Sequence, residues 1–216
     1  DGAHPLPHTV ITHADVESGR WRVNPELAPA VAPHAGFDVE AWALHYARRL
    51  AEGGKYPLVV WPYHSMVGGI GHAMVSAVEE AVFFHAIARQ TPTRAEVKGQ
   101  NPLTENYSVL RPEVMEDASG APIDSPNRAL LEHLLSFDTV IVAGEAMSHC
   151  VAWTVEDLLA EIRTRDSRLA ERIVLLDDCT SPVVVPGVVD FTDAAEAAYT
   201  RFAAAGMRRA VSTSAF

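Results

Sequence analysis

Cys150 stands where a sequence can make a cysteine reactive. It follows a short β-branched run over 139–143 that stops at Gly144, and Val151, Val155, Leu158, Leu159 and Ile162 then recur at helical spacing. The pattern predicts strand, tight turn, helix, with the cysteine at or near the first helical turn. Unpaired backbone N–H groups and the positive end of the helix dipole favour a thiolate there. The competing reading is a small buried hydrophobe, which is how free cysteine often packs. A thiolate nucleophile needs a group that holds it charged, donors for an oxyanion and a carrier for protons. Lys98, within Glu96-Val97-Lys98-Gly99, is the candidate cation, because an ammonium beside Cys150 favours the anion by opposite charge. Its competing reading is a solvated surface lysine. The backbone N–H groups between Glu145 and Cys150 are the candidate oxyanion donors, since a tight turn delivers several of them to one point. Cys179 follows Asp177 and Asp178, whose charge disfavours a thiolate, so it reads as structural.

These residues need a scaffold, and the chain predicts one of alternating strands and helices. Residues 1–36 are rich in proline and histidine without a sustained period and read as surface loop, with a short edge strand at 9–12. The scatter of His4, His8, His13 and His34 lacks the paired spacing of zinc signatures. Asp38 caps a predicted helix to about Leu50, with Val39, Trp42, Ala43, Tyr46 and Leu50 on its apolar face and glycines at its end. Leu58, Val59 and Val60 form a short buried strand ended by Pro62. Tyr63, His64 and a glycine-bearing loop over 68–71 follow. That loop lacks the Lys-Ser/Thr pair of a P-loop and the full dinucleotide fingerprint. Ser76 and Glu79 have the spacing of a capping box for a helix to about Gln90. A strand at 93–98, a polar loop at 99–113, a helix opened by Ser125-Pro126, strands at 172–176 and 208–212 and an alanine-rich helix over 191–205 complete the pattern. Apolar strands alternating with helices imply a mostly parallel sheet covered on both faces, a three-layer α/β/α architecture. His64, Cys150 and Asp177, each just after a strand, would gather on the rim where ligands of such sheets bind.

The bulk properties narrow the chemistry. The 216 residues, 48% of them hydrophobic, can bury one sizeable core, and no linker or repeat divides them, so 1–216 reads as a single domain. A net charge of −11 argues against nucleic-acid or anionic-membrane partners and favours a small-molecule substrate. No apolar run reaches membrane-span length, and two cysteines make no secreted disulfide framework, so a cytoplasmic setting with free thiols is expected. Alanine-rich helix faces suit a homo-oligomer.

The ordered runs Trp61-Pro62-Tyr63-His64, Glu96-Val97-Lys98-Gly99 and Gly144-Glu145-Ala146-Met147-Ser148-His149-Cys150-Val151 resemble those of the isochorismatase-like cysteine hydrolases, nicotinamidases in particular. The resemblance extends over essentially the whole chain. It implies Cys150 as nucleophile, Lys98 as the lysine of an Asp, Lys, Cys triad, and a cis peptide joining Glu145 to Ala146. The N–H groups of Ala146 and Cys150 would then form the oxyanion hole. It also implies His64 as a ligand of a divalent metal, zinc, iron or manganese, that orients the pyridine nitrogen of nicotinamide. Trp21, Trp61, Tyr107 and Glu145 are candidates for the substrate pocket. The implied reaction is hydrolysis of a small amide, nicotinamide to nicotinate and ammonia, through a thioester.

One departure qualifies this expectation. The family's catalytic aspartate, on its first strand, and the Asp-x-His metal ligands after its second have no counterpart here; Asp1, Asp15 and Asp38 lie in the wrong context. The chain also enters on Gly2, Pro5 and Pro7, a loop composition. The expectation is therefore an N-terminally incomplete hydrolase domain. The alternatives are an isochorismatase-like hydrolase of another small substrate, with no metal, and a catalytically dead binding or scaffold protein.

Overall fold

In the computed structural model the described residues are 4–53 and 55–215. They fall into two units, residues 1–97 and 98–216.

In the first unit, strand β1 (Val10–Ile11) pairs antiparallel with β2 (Leu58–Val59), Val10 opposite Val59. The expected edge strand is present, but its partner is antiparallel and only half-buried, whereas a buried parallel strand was expected. Helix α1 (His13–Glu17) interrupts the N-terminal loop. Thr12 and Asp15 build it: the Thr12 hydroxyl accepts from Asp15 N–H at 3.1 Å, and the Asp15 carboxylate accepts from Thr12 N–H at 3.0 Å. This reciprocal cap satisfies two donors that a short helix cannot pair internally. Helix α2 (Ala28–Val31) is a single turn.

Helix α3 (Val39–Glu52) forms as its sequence requires, with the Asp38 carboxylate accepting from Ala41 N–H at 3.0 Å and Gly53 at its end. Val39, Trp42, Tyr46, Ala47 and Leu50 are buried, and α1 packs on α3. Helix α4 (Ser76–Arg89) departs from expectation at its start: Val75 is the cap and Ser76 is already helical, so the capping box is not made. None of its residues is buried; Val78, Phe83, Phe84 and Ile87 are each more than half exposed. Residues 93–98 form no strand.

The second unit holds the parallel sheet. Strands β3 (Val140–Val142), β4 (Ile173–Leu176) and β7 (Arg208–Ala210) run parallel in the order β3-β4-β7, with Val140 opposite Ile173 and Val174 opposite Arg208. β4 is buried along its whole length, as a central strand covered on both faces must be. Helix α5 (Arg128–Leu135) precedes the sheet; its cap is Asn127, whose side chain accepts from Leu130 N–H at 3.0 Å, and not Ser125. Pro126 thus ends the incoming loop instead of opening the helix. Helix α6 (Ala152–Arg165) follows β3, and α7 (Thr192–Ala204) precedes β7. Between them a small antiparallel hairpin, β5 (Val184–Val185) and β6 (Val189–Asp190), was not anticipated.

The core of this unit lies between α6, α7 and the sheet. Val155, Leu158, Leu159 and Ile162 of α6 meet Ile173 and Leu175 of β4 and Tyr199 and Phe202 of α7. The loop over 99–113, expected to be polar cover, also buries Leu103, Tyr107 and Leu110. The sheet therefore fixes where β3 ends, and α6 fixes the direction of the chain beyond the cysteine turn.

Ile162 has no exposed surface. Ile162→Ala should lower the unfolding free energy by about 3 kcal/mol, the transfer loss plus an unfilled cavity. Urea denaturation measures it; a loss below about 1 kcal/mol would mean that α6 does not anchor this core.

Candidate active site

Gly144 begins the cysteine turn at φ +112°, a backbone conformation that side-chain-bearing residues rarely adopt. The Glu145–Ala146 peptide is cis, as the resemblance implies. From Met147 to Val151 the chain winds as a π turn, with Val151 N–H reaching back to the Ala146 carbonyl at 3.2 Å, and then tightens into α6. Cys150 lies in the last part of this turn and is partly exposed. Met147, Ser148, His149 and Val151 around it are buried. A single π turn leading a long helix lifts one side chain out of the buried row, and here that side chain is the thiol.

Lys98 reaches the sulfur. Its Nζ lies 3.1 Å from Cys150 Sγ, 2.6 Å from the Asn106 carbonyl and 2.7 Å from the Tyr107 carbonyl. An ammonium has three N–H donors and no acceptor, so two carbonyls and one sulfur use all of them. The carbonyls fix the direction of the third donor toward the Cys150 sulfur. Lys98 is exposed, as the surface-lysine alternative expects, while its ammonium makes these three contacts.

His149, adjacent to the nucleophile, carries no signal in the sequence beyond its place in the motif. It is 4% exposed, and its ring meets Phe191 at 4.6 Å and Tyr107 at 5.6 Å between centroids. Its Nδ1 is 2.8 Å from Ser148 Oγ, which accepts the Val183 N–H at 3.0 Å. Burial penalises the imidazolium and pulls the group down from the ordinary 6.5 to about 4. The ring beside the cysteine is thus neutral at physiological pH.

The other candidates occupy distinct places. Tyr107 contributes its main-chain carbonyl to Lys98, while its ring is buried against His149. The exposed Glu145 carboxylate accepts from Ser181 N–H at 3.2 Å and Ser181 Oγ at 3.1 Å. Trp61 and His64 belong to the first unit, where Trp61 has edge-on ring contacts with His8 and His64. His64 Nδ1 lies 2.7 Å from the Pro62 carbonyl, which can only accept, so Nδ1 carries the proton and Nε2 is the nitrogen able to bind a metal. Among the described residues no three His, Cys, Asp or Glu side chains group so as to hold a metal ion. The residues present do not complete the expected metal site. Asp15 and Asp38 serve as helix caps. Cys179 is a free thiol with Sγ 3.7 Å from Asp178 Oδ1; desolvation, then the Asp178 charge, pushes it above its ordinary range.

No protein-family model matches the chain, and no curated protein matches it in sequence. Among solved structures it is similar to the yeast nicotinamidase bound to the inhibitor nicotinaldehyde, with a TM-score of 0.45 and 18% identity over 72% of this chain and 60% of that one. A nicotinamidase from Acinetobacter baumanii gives 0.41 and 18%, over 74% and 63%. A further structure of the yeast enzyme gives 0.43 and 19%, over 70% and 58%. These structural neighbours are nicotinamidases. The chain spans about three fifths of the length of the solved chains it matches. No helix among the described residues is long and apolar enough to cross a membrane.

Above pH 6.5 the His149 imidazole is neutral folded or unfolded; as pH falls toward 4 the unfolded chain takes up a proton that the folded chain refuses. Stability should therefore fall over that window by roughly 3 kcal/mol more in the wild type than in His149→Gln. Urea unfolding between pH 4 and 7 measures the difference, and parallel curves for the two proteins would contradict it.

Proposed function

We propose that the chain carries the nucleophile and its cation in a cysteine amidohydrolase of the isochorismatase-like family, acting on nicotinamide to give nicotinate and ammonia. The observation that carries this reading is the 3.1 Å contact between Lys98 Nζ and Cys150 Sγ, made by an ammonium whose other two donors are held by main-chain carbonyls. Cys150 Sγ attacks the amide carbon, a C–S bond forms, and the carbonyl electron pair moves onto oxygen. The N–H groups of Ala146 and Cys150 hold that oxyanion. Collapse expels ammonia once the nitrogen has gained a proton, leaving a thioester, and water then releases the acid and the thiol.

The proton carrier is assigned to no residue of this sequence; the resemblance gives it to an aspartate on the family's first strand. Lys98 supplies charge and position. The preference for nicotinamide is supported by the order of the three motifs. A cytoplasmic homo-oligomer belongs to the same proposal.

The natural protein should release ammonia from nicotinamide, Cys150→Ala should abolish release, and Lys98→Ala should lower kcat by about a hundredfold or more. A coupled ammonia assay reads all three. Release from other small amides but not nicotinamide would move the substrate within the family. Release that survives Cys150→Ala, or its absence from every small amide tried, would overturn the hydrolase reading in favour of a different nucleophile or a binding protein.

A further inference from the structure

The two halves of the Lys98–Cys150 contact are anchored by different segments. The ammonium is fixed by the Asn106 and Tyr107 carbonyls. The sulfur is fixed by the turn from Gly144 to Cys150, and that turn is bonded residue by residue to the segment 179–183, at the end of β4. Gly144 N–H donates to the Cys179 carbonyl at 2.9 Å, and Met147 N–H to the Ser181 carbonyl at 2.8 Å. Thr180 Oγ1 donates to the Gly144 carbonyl at 2.6 Å. Ser181 N–H and Oγ donate to the Glu145 carboxylate, and Val183 N–H donates to Ser148 Oγ. Two backbone bonds thus bracket Glu145 and Ala146, and side chains close the span between them. The Ala146 N–H, by contrast, has no acceptor among the described residues.

We propose that Ser181 and Glu145 are positioning residues that clasp the cysteine turn to the 179–183 segment and so set Cys150 Sγ against the Lys98 ammonium. The charged acceptor makes this the strongest side-chain tie available in the strap, and its bidentate form restricts rotation of the turn as well as its separation. Glu145 then acts through the turn and touches no substrate. Loosening the clasp leaves Lys98 on its carbonyls and lets the sulfur drift from it, which a geometry-dependent attack registers strongly.

The kinetic part of the test rests on the hydrolase reading; the thiol part does not. In the natural protein, Ser181→Ala should lower the rate of Cys150 alkylation by iodoacetamide roughly tenfold, with Cys179 in the same digest as the internal reference. It should lower kcat in the same proportion with KM changed by less than about twofold, and Ser181→Thr should restore both. Glu145→Ala should match Ser181→Ala, and the double variant should be no slower than either single, because both remove one interaction. Glu145→Ala, at an exposed position, reads the clasp even if Ser181→Ala does not fold. Unchanged alkylation in both variants, a double variant slowed multiplicatively, or a rise in KM alone on Glu145→Ala would overturn the proposal. If the wild type turns over no amide, the proposed function fails while alkylation still decides the clasp.

Discussion

An ammonium held by two carbonyls against one sulfur is the interaction on which the rest of the site depends. A free lysine side chain samples many rotamers, and its charge at an average position would be screened by water. Two main-chain acceptors from adjacent residues remove that freedom and leave the third donor aimed at Cys150. The loop that supplies them is not loosely attached: Leu103, Tyr107 and Leu110 are buried, and the Tyr107 ring meets His149. Packing of an irregular segment is thereby converted into the orientation of a charge.

The sulfur side of the contact has its own chain of support. β3 is held in register by the buried strand β4, and Gly144 turns the chain sharply at its end. The π turn then exposes Cys150 while burying its neighbours, and α6 locks the far end into the core through Leu158, Leu159 and Ile162. His149, next to the cysteine in sequence, remains neutral because burial opposes its charge. At Cys179 desolvation first, and then the Asp178 charge, raises the thiol above its ordinary range.

Elements set by local physics were legible in the sequence. Asp38 with its amphipathic run gave α3, the apolar run before Gly144 gave β3, and helical spacing after Cys150 gave α6, because each is encoded within a few neighbouring residues. What failed needed longer-range information. Ser76-x-x-Glu79 has the spacing of a capping box, but one residue's shift in the helix start removed the geometry. Residues 93–98 look like a strand, yet a strand exists only with a partner. The Thr12-x-x-Asp15 box is present in the sequence, but its proline-rich surroundings mask the helix it caps. Cys150 and Lys98, 52 residues apart, are linked in the sequence only by chemistry and motif order, and in the structure they lie 3.1 Å apart. The Ser181–Glu145 tie, between exposed residues with no periodic signature, could not be read from either segment alone.

The most direct test of the account is rapid-quench mass spectrometry of the natural protein mixed with nicotinamide, followed by peptide mapping. A transient nicotinoyl mass on the Cys150 peptide, absent from the Cys179 peptide and formed more slowly in Lys98→Ala, is the result the Lys98–Cys150 contact predicts. Turnover with no acyl adduct on Cys150, or an adduct that forms equally fast without Lys98, would contradict it.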